Sequence, residues 1–251
     1  MSVREVQEPR GWAWRIAVAI VKPPLLATTR PDWRGGEHIP ASGGFVLVLN
    51  HISHVDPFTA AHLVHGHGRL PRYLAKADLF KHPLLRRFLH ALGQIPVHRA
   101  SSTAAGAYAA AVAAVRRGEC VVVYPEGTIT RDPGLWPMRG KSGAARIALA
   151  TGCPVVPVGQ WGAQHLLAPY AKRPHLLPPR KRISMLVGEP VDLSDLVTDP
   201  GAPTSPAAVS AATDRIMARI TGLVEQIRGE QAPAERFDMR RMHDHDRKDS
   251  A

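Results

Sequence analysis

Two side chains in the segment Asn50-His51-Ile52-Ser53-His54-Val55-Asp56 are of types that work as a pair. A histidine in a loop acts as a general base near neutral pH, and a carboxylate bonded to its far nitrogen fixes the tautomer and stabilises the imidazolium. His51 and Asp56 supply these parts, but on a regular helix five residues turn ~500° and leave the two side chains about 140° apart. A direct contact therefore requires a bend. Pro57 is suited to the first turn of a helix, which puts Asp56 at the helix N-terminus and lets His51 reach back from the loop. A plainer reading fits the same residues: Asp56 as an N-cap, or Ser53 and Asp56 as a capping box. The two roles are compatible.

The surrounding pattern says which elements hold this segment. Residues 45–49, Phe-Val-Leu-Val-Leu, form a short apolar run, followed by the polar loop and a helix-like stretch over 57–63. Further strands are expected over 72–76, 94–97, 120–124, 154–158 and 183–187, and helices over 83–92, 103–117 and 142–150, the last two closed by Gly118 and Gly152. Strands alternating with helices predict a single-domain α/β fold, a mixed, largely parallel sheet flanked by helices. Chemistry in such sheets sits beyond the carboxyl ends of the strands, where Asn50 to Asp56 falls. A linker is expected over 199–206, then a helix with Ile216, Ile220, Leu223 and Ile227 on its packing stripe.

The segment resembles the NHxSxxD signature of glycerolipid acyltransferases of the bacterial 1-acyl-glycerol-3-phosphate acyltransferase type. Three further blocks follow in the family's order, so the resemblance spans roughly residues 33–190. They are Gly93-Gln-Ile-Pro-Val-His-Arg99, Tyr124-Pro-Glu-Gly-Thr128 and Pro154-Val-Val-Pro-Val158. The resemblance implies a glycerol-3-phosphate acyltransferase-like fold with His51 as the base on an acceptor hydroxyl and Asp56 as its orienter. It implies Arg99 as a ligand of the acceptor phosphate, Glu126 as a residue positioning the acceptor glycerol beside Gly127 and Thr128, and Lys76 and Lys141 as further substrate-binding residues. The implied reaction moves a fatty acyl group from acyl-CoA or acyl carrier protein to 1-acyl-glycerol-3-phosphate, forming phosphatidic acid with no cofactor and no metal. Other acceptors, namely glycerol-3-phosphate, another lysophospholipid or a lyso-ornithine lipid, stay open. Ile129 and Thr130 separate the Glu-Gly-Thr core from Arg131, where many relatives place arginine directly after threonine. Each later block also has a plain reading: Arg99 as a solvated strand end, Glu126 as a turn residue, Pro154 and Pro157 as punctuation of an edge strand.

Composition bounds the partners. The 251 residues carry 32 Lys+Arg against 21 Asp+Glu, a formal charge of +11, which attracts an anionic membrane, a phosphorylated substrate or nucleic acid. Interleaved aromatics and DNA-reading motifs are absent, so no nucleic-acid partner is expected; a non-enzymatic basic binding module is the rival of a different class. Arg15 and Lys22 interrupt the apolar stretch over 12–22, which argues against a membrane span and suits an interfacial helix or one packed on the domain. Lys172, Arg173, Arg180, Lys181 and Arg182 read either as a basic apron for an anionic bilayer, consistent with a peripheral or monotopic protein at the cytoplasmic face, or as a solvated loop ahead of a strand. The division expected is 1–32 for the N-terminal helix, 33–228 for the catalytic domain and 229–251 for a charged flexible tail. Cys120 and Cys153 read as core thiols. Gly140-Lys141-Ser142 lacks the glycine at 135 that a P-loop needs, and His62, His65 and His67 have no neighbouring Cys or acid to complete a metal site. Oligomeric state has no signal.

Overall fold

The computed structural model describes residues 8, 11–97, 104–176, 178–196 and 205–239. Arg99 and most of the expected linker over 199–206 lie outside the described residues.

Seven strands form one sheet: β1 (Thr29–Arg34), β2 (Phe45–Leu49), β3 (Pro71–Lys76), β4 (Ile95–Val97), β5 (Cys120–Val123), β6 (Val155–Trp161) and β7 (Lys181–Val187), in the order β1-β7-β6-β2-β5-β3-β4. Among the described residues only β6 and β7 pair antiparallel, so the sheet is mixed and largely parallel, as the alternation of elements predicts. β2 is central and all five of its residues are buried, because both its faces are covered. Val46, Val48, Val121, Val123 and Val155 pack under α4 (Ala104–Arg116), α5 (Gly143–Thr151) and α7 (Pro206–Arg228). Phe45, Leu47, Leu49, Val122 and Val156 face α2 (Asp56–Gly66) through Ala60, Leu63 and Val64. Alternation along each strand thus assigns one set of side chains to each helical layer.

Pro157 stands in an interior strand rather than at an edge. Its carbonyl accepts the Gly188 amide on the β7 side, where the β7 ladder has already ended at Val187 opposite Val158. The missing proline N–H therefore breaks no ladder bond. Two residues on, Gly159 lets α7 lie on β6: a Cβ there would come within 2.7 Å of Leu223 Cβ.

Two expectations need correction, the first domain boundary and the flexible tail. The boundary after residue 32 falls inside β1, which pairs in register with β7; Pro31 and Asp32 hide this strand from a pattern reading, and an edge strand accepts them because it pairs on one side only. The N-terminal helix, α1 (Trp12–Thr28), continues through Pro23 and Pro24. Its end is held by the Thr28 hydroxyl on the Pro24 carbonyl at 2.7 Å and the Thr29 hydroxyl on the Leu25 carbonyl at 2.6 Å. The stretch after Gly229 is fastened to the domain as far as residue 239. There the Arg139 amide donates to the Phe237 carbonyl at 3.0 Å and the Arg139 guanidinium pairs with Asp238 at 2.9 Å, contacts that charge composition does not announce.

α1 packs on α2 and α3 (Pro83–Ala91), with Ala13, Trp14 and Leu25 buried while Trp12, Ile16 and Ile20 remain 52%, 43% and 66% exposed. It is a packed helix that keeps an outward apolar stripe. Among the described residues no helix is long and apolar enough to cross a membrane. Part of the expected basic apron is engaged elsewhere: Arg182 pairs with Asp32 at 2.8 Å and Arg180 donates to the Leu26 carbonyl at 3.1 Å.

Candidate active site

β2, β5 and β6 run parallel side by side, so the loops leaving their carboxyl ends converge. These loops carry Asn50 to Val55, Tyr124 to Met138, and Gly162 onward. Asn50, directly after β2, is pinned to the end of β6: its side-chain amide donates to the Gln160 carbonyl at 3.0 Å, its Oδ1 accepts the Gln160 amide at 2.9 Å, and Gln160 Nε2 donates to the Asn50 carbonyl at 2.6 Å.

His51 is held from the other flank. Its backbone amide donates to Glu126 Oε1 at 2.8 Å and its carbonyl accepts the Thr130 amide at 2.7 Å. The ring stacks on Tyr124 with centroids 4.3 Å apart, and Nδ1 lies 2.8 Å from Asp56 Oδ2. The required bend is present. Asp56 is the first residue of α2, whose N-cap is Val55 with no side-chain cap, so the N-cap reading of Asp56 does not hold. Its Oδ2 instead accepts the Ile52 and Ser53 amides at 2.6 and 2.8 Å, so one oxygen fixes the turn before the helix and pairs with histidine. A carboxylate receiving Nδ1–H leaves the Nε2 lone pair as the basic site, on a ring that lines the main cavity. Burial raises the Asp56 carboxyl above its ordinary range, opposed by His51 and the Ser53 and Ile52 amides. Ser53 secures the turn, donating its hydroxyl to the Leu167 carbonyl at 2.7 Å and accepting the Val55 amide at 3.2 Å.

Glu126 sits elsewhere than expected. It is 3% exposed, and its second oxygen accepts the Met138 amide at 3.0 Å, so both oxygens hold backbone and the carboxyl stands behind His51 rather than in the cavity. Burial pushes it up to about 8, against the two amides that favour the anion. Gly127 and Thr128 do line the cavity, as does Lys141. Gly127 has φ +71° and a Cβ there would meet Lys141 Nζ at 2.7 Å; the glycine makes the turn and leaves room for the lysine. Lys76 also lines the cavity, with its ammonium on Asp78.

The cavity measures about 980 Å³, the upper end of the range for small-molecule sites. Lys141, Gly127 and Thr128 line it from the loop next to His51 and Lys22 lines it from α1, whereas Val18, Val21, Phe58, Phe88 and Leu89 supply apolar walls from α1, α2 and α3. A basic nitrogen at the wall of an apolar chamber suits proton abstraction on an amphipathic molecule. His62 and His65 line it too; His62 is driven down to about 4 by burial and by the neighbouring Lys22 and His65. Among the described residues no three His, Cys, Asp or Glu side chains form a metal-binding group.

Sequence reasoning missed the clamps: Gln160, Thr130, the Met138 amide and the Tyr124 ring. Asn50 and Tyr124 carried a signal, each as the first residue of its motif.

The family model described as Acyltransferase matches residues 30–161. The chain is 28% identical over 183 residues to the 1-acyl-sn-glycerol-3-phosphate acyltransferase of Bacillus subtilis, covering 72% of this chain and 83% of that one. It is 30% identical over 140 residues to a chloroplastic 1-acyl-sn-glycerol-3-phosphate acyltransferase of Brassica napus, 55% of this chain and 39% of the relative. The crystal structure of the 1-acyl-sn-glycerophosphate acyltransferase PlsC from Thermotoga maritima superposes with a TM-score of 0.64 over 87% of this chain and 81% of that one, at 23% identity, which establishes a shared fold.

Proposed function

The chain belongs to the acyltransferase family, and from that premise we propose that it acylates the free hydroxyl of 1-acyl-glycerol-3-phosphate to give phosphatidic acid, with acyl-CoA or acyl carrier protein as donor. The observation that carries this reading is His51 bonded to buried Asp56 at 2.8 Å on the wall of an apolar cavity of about 980 Å³. His51 Nε2 takes the hydroxyl proton as the oxygen attacks the thioester carbonyl. The C–S bond breaks, and the departing thiolate receives the proton from the imidazolium. The thioester supplies the activated group, so the protein's task is to orient, desolvate and hold that proton.

Lys141, beside Gly127 on the loop next to His51, is assigned to the acceptor phosphate, with Arg99 and Lys76 as the other cations proposed for it. Glu126 is assigned to holding the His51 backbone. Curated relatives named for the same acceptor support the choice of substrate, and the apolar walls suit acyl chains. The exposed stripe Trp12, Ile16 and Ile20 on α1, together with the net charge of +11, supports peripheral binding to an anionic membrane.

The test is His51→Ala, assayed with lysophosphatidate and either donor. Loss of general-base assistance should lower turnover by about 10²- to 10⁴-fold with the fold retained. A variant close to wild type would remove His51 from the chemistry. Product analysis by lipid mass spectrometry with a mixed panel of acceptors and donors identifies which pair reacts.

A further inference from the structure

Asn50 and His51 are clamped by two separate segments, the end of β6 through Gln160 and the loop from Glu126 to Met138. One side chain joins those segments. The Arg228 guanidinium, at the end of α7, lies 3.8 Å from the Trp136 ring centroid and 4.2 Å from that of Trp161. It also donates to the Gly134 carbonyl at 2.7 Å, and its side chain is 10% exposed.

Trp161 directly follows Gln160. Trp136 is bound through its carbonyl to the hydroxyl of Thr130 at 2.9 Å, the residue whose amide holds the His51 carbonyl. Two residues after Trp136, the Met138 amide holds Glu126. We propose that Arg228 is a positioning residue: by bridging Trp136 and Trp161 it locks the two clamps together and fixes the His51 backbone for the reaction proposed above, on which this inference rests. A cation between two aromatic faces, shielded from water, is far stronger than an exposed one. The guanidinium lies over both rings while its Nη1 reaches the Gly134 carbonyl, a combination that an ammonium cannot reproduce in full.

The experiment uses the full chain with Arg228→Gln, which retains a donor but no charge, Arg228→Lys, which retains the charge, and Glu230→Gln as a control that removes only the outer ion pair of Arg228. Arg228→Gln is expected to lower kcat about 10- to 100-fold through misplacement of His51, with KM for both substrates within about two-fold. Its His51, Thr130 and Met138 amides should exchange hydrogen about ten-fold faster. Arg228→Lys should recover part of both effects, and Glu230→Gln should match wild type. Unchanged exchange at those three amides, or a kcat within about two-fold of wild type, overturns the proposal. Faster exchange in a protein whose wild type transfers no acyl group would retire the proposed reaction while leaving the positioning role standing.

Discussion

Glu126 accepts the backbone amide of His51 at 2.8 Å while its other oxygen accepts the amide of Met138 at 3.0 Å. One buried carboxyl thus ties the loop after β2 to the loop after β5. The Glu126 side chain holds the base's backbone, so its removal disturbs the geometry of the site without touching the cavity wall.

Glu126→Ala leaves two amides without their acceptor in a buried setting, a cost of about 1–3 kcal/mol each. Thermal or urea unfolding should show that loss, and kcat should fall more than KM rises, because the cavity lining is unchanged. A variant with wild-type kcat would show that the His51 backbone needs no such support.

The same carboxyl predicts a pH dependence of stability. Its folded value near 8 exceeds its ordinary 4.5, so within that window the folded protein holds a proton that the unfolded chain releases. Stability from this group is full below pH 4.5 and is lost as pH rises through about 8. Burial raises Asp56 as well, and it contributes with the same sign. His62, held at about 4 in the fold against an ordinary 6.5, gains stability as pH rises through that range and opposes the decline, so urea midpoints should decline in wild type between about pH 6.5 and 8 and decline less in Glu126→Gln. Parallel curves would mean that Glu126 is already ionised throughout.

Asp56→Asn separates orientation from folding. The asparagine oxygen can still accept the Ile52 and Ser53 amides that now meet Oδ2, so the turn survives. The imidazolium loses its counter-charge and Nδ1–H loses its anionic acceptor. Turnover should drop by about 10²- to 10⁴-fold with little change in melting temperature. Activity near wild type would demote Asp56 to a helix-start residue.

The pairing of His51 with Asp56 was legible because Pro57 marks the first turn of a helix and so sets Asp56 at its N-terminus, and the strand-loop-helix order placed the loop at a carboxyl end. The interior strands were legible from β-branched runs such as Cys120 to Val123, buried on both faces. β1 was not, since an edge strand bearing Pro31 and Asp32 carries no alternation. Nor were Gln160, Trp136 and Arg228: their roles depend on which loop ends meet across the sheet, a matter of strand order that no local spacing encodes. The placement of Glu126 was hidden for a related reason, because a conspicuous carboxylate beside Gly127 reads equally as a substrate ligand and as an acceptor for amides that are remote in sequence.

Trp12 and Ile16 belong to the exposed stripe of α1, 52% and 43% accessible, and neither lines the cavity. Trp12 rests on Phe88, with ring centroids 6.0 Å apart, so replacing both with serine should lower the melting temperature slightly, while a bilayer loses two insertable apolar side chains worth about 1.5–3 kcal/mol apiece at full burial. Recovery with anionic liposomes in flotation should fall by about ten-fold or more, and turnover of vesicle-borne lysophosphatidate should fall with it. Turnover of a short-chain, water-soluble acceptor should stay near wild type, because that substrate reaches His51 without the membrane. Undiminished flotation of the double variant would remove α1 from membrane binding. Equal flotation of the wild type on anionic and neutral vesicles would remove the electrostatic part and leave the apolar stripe as the anchor.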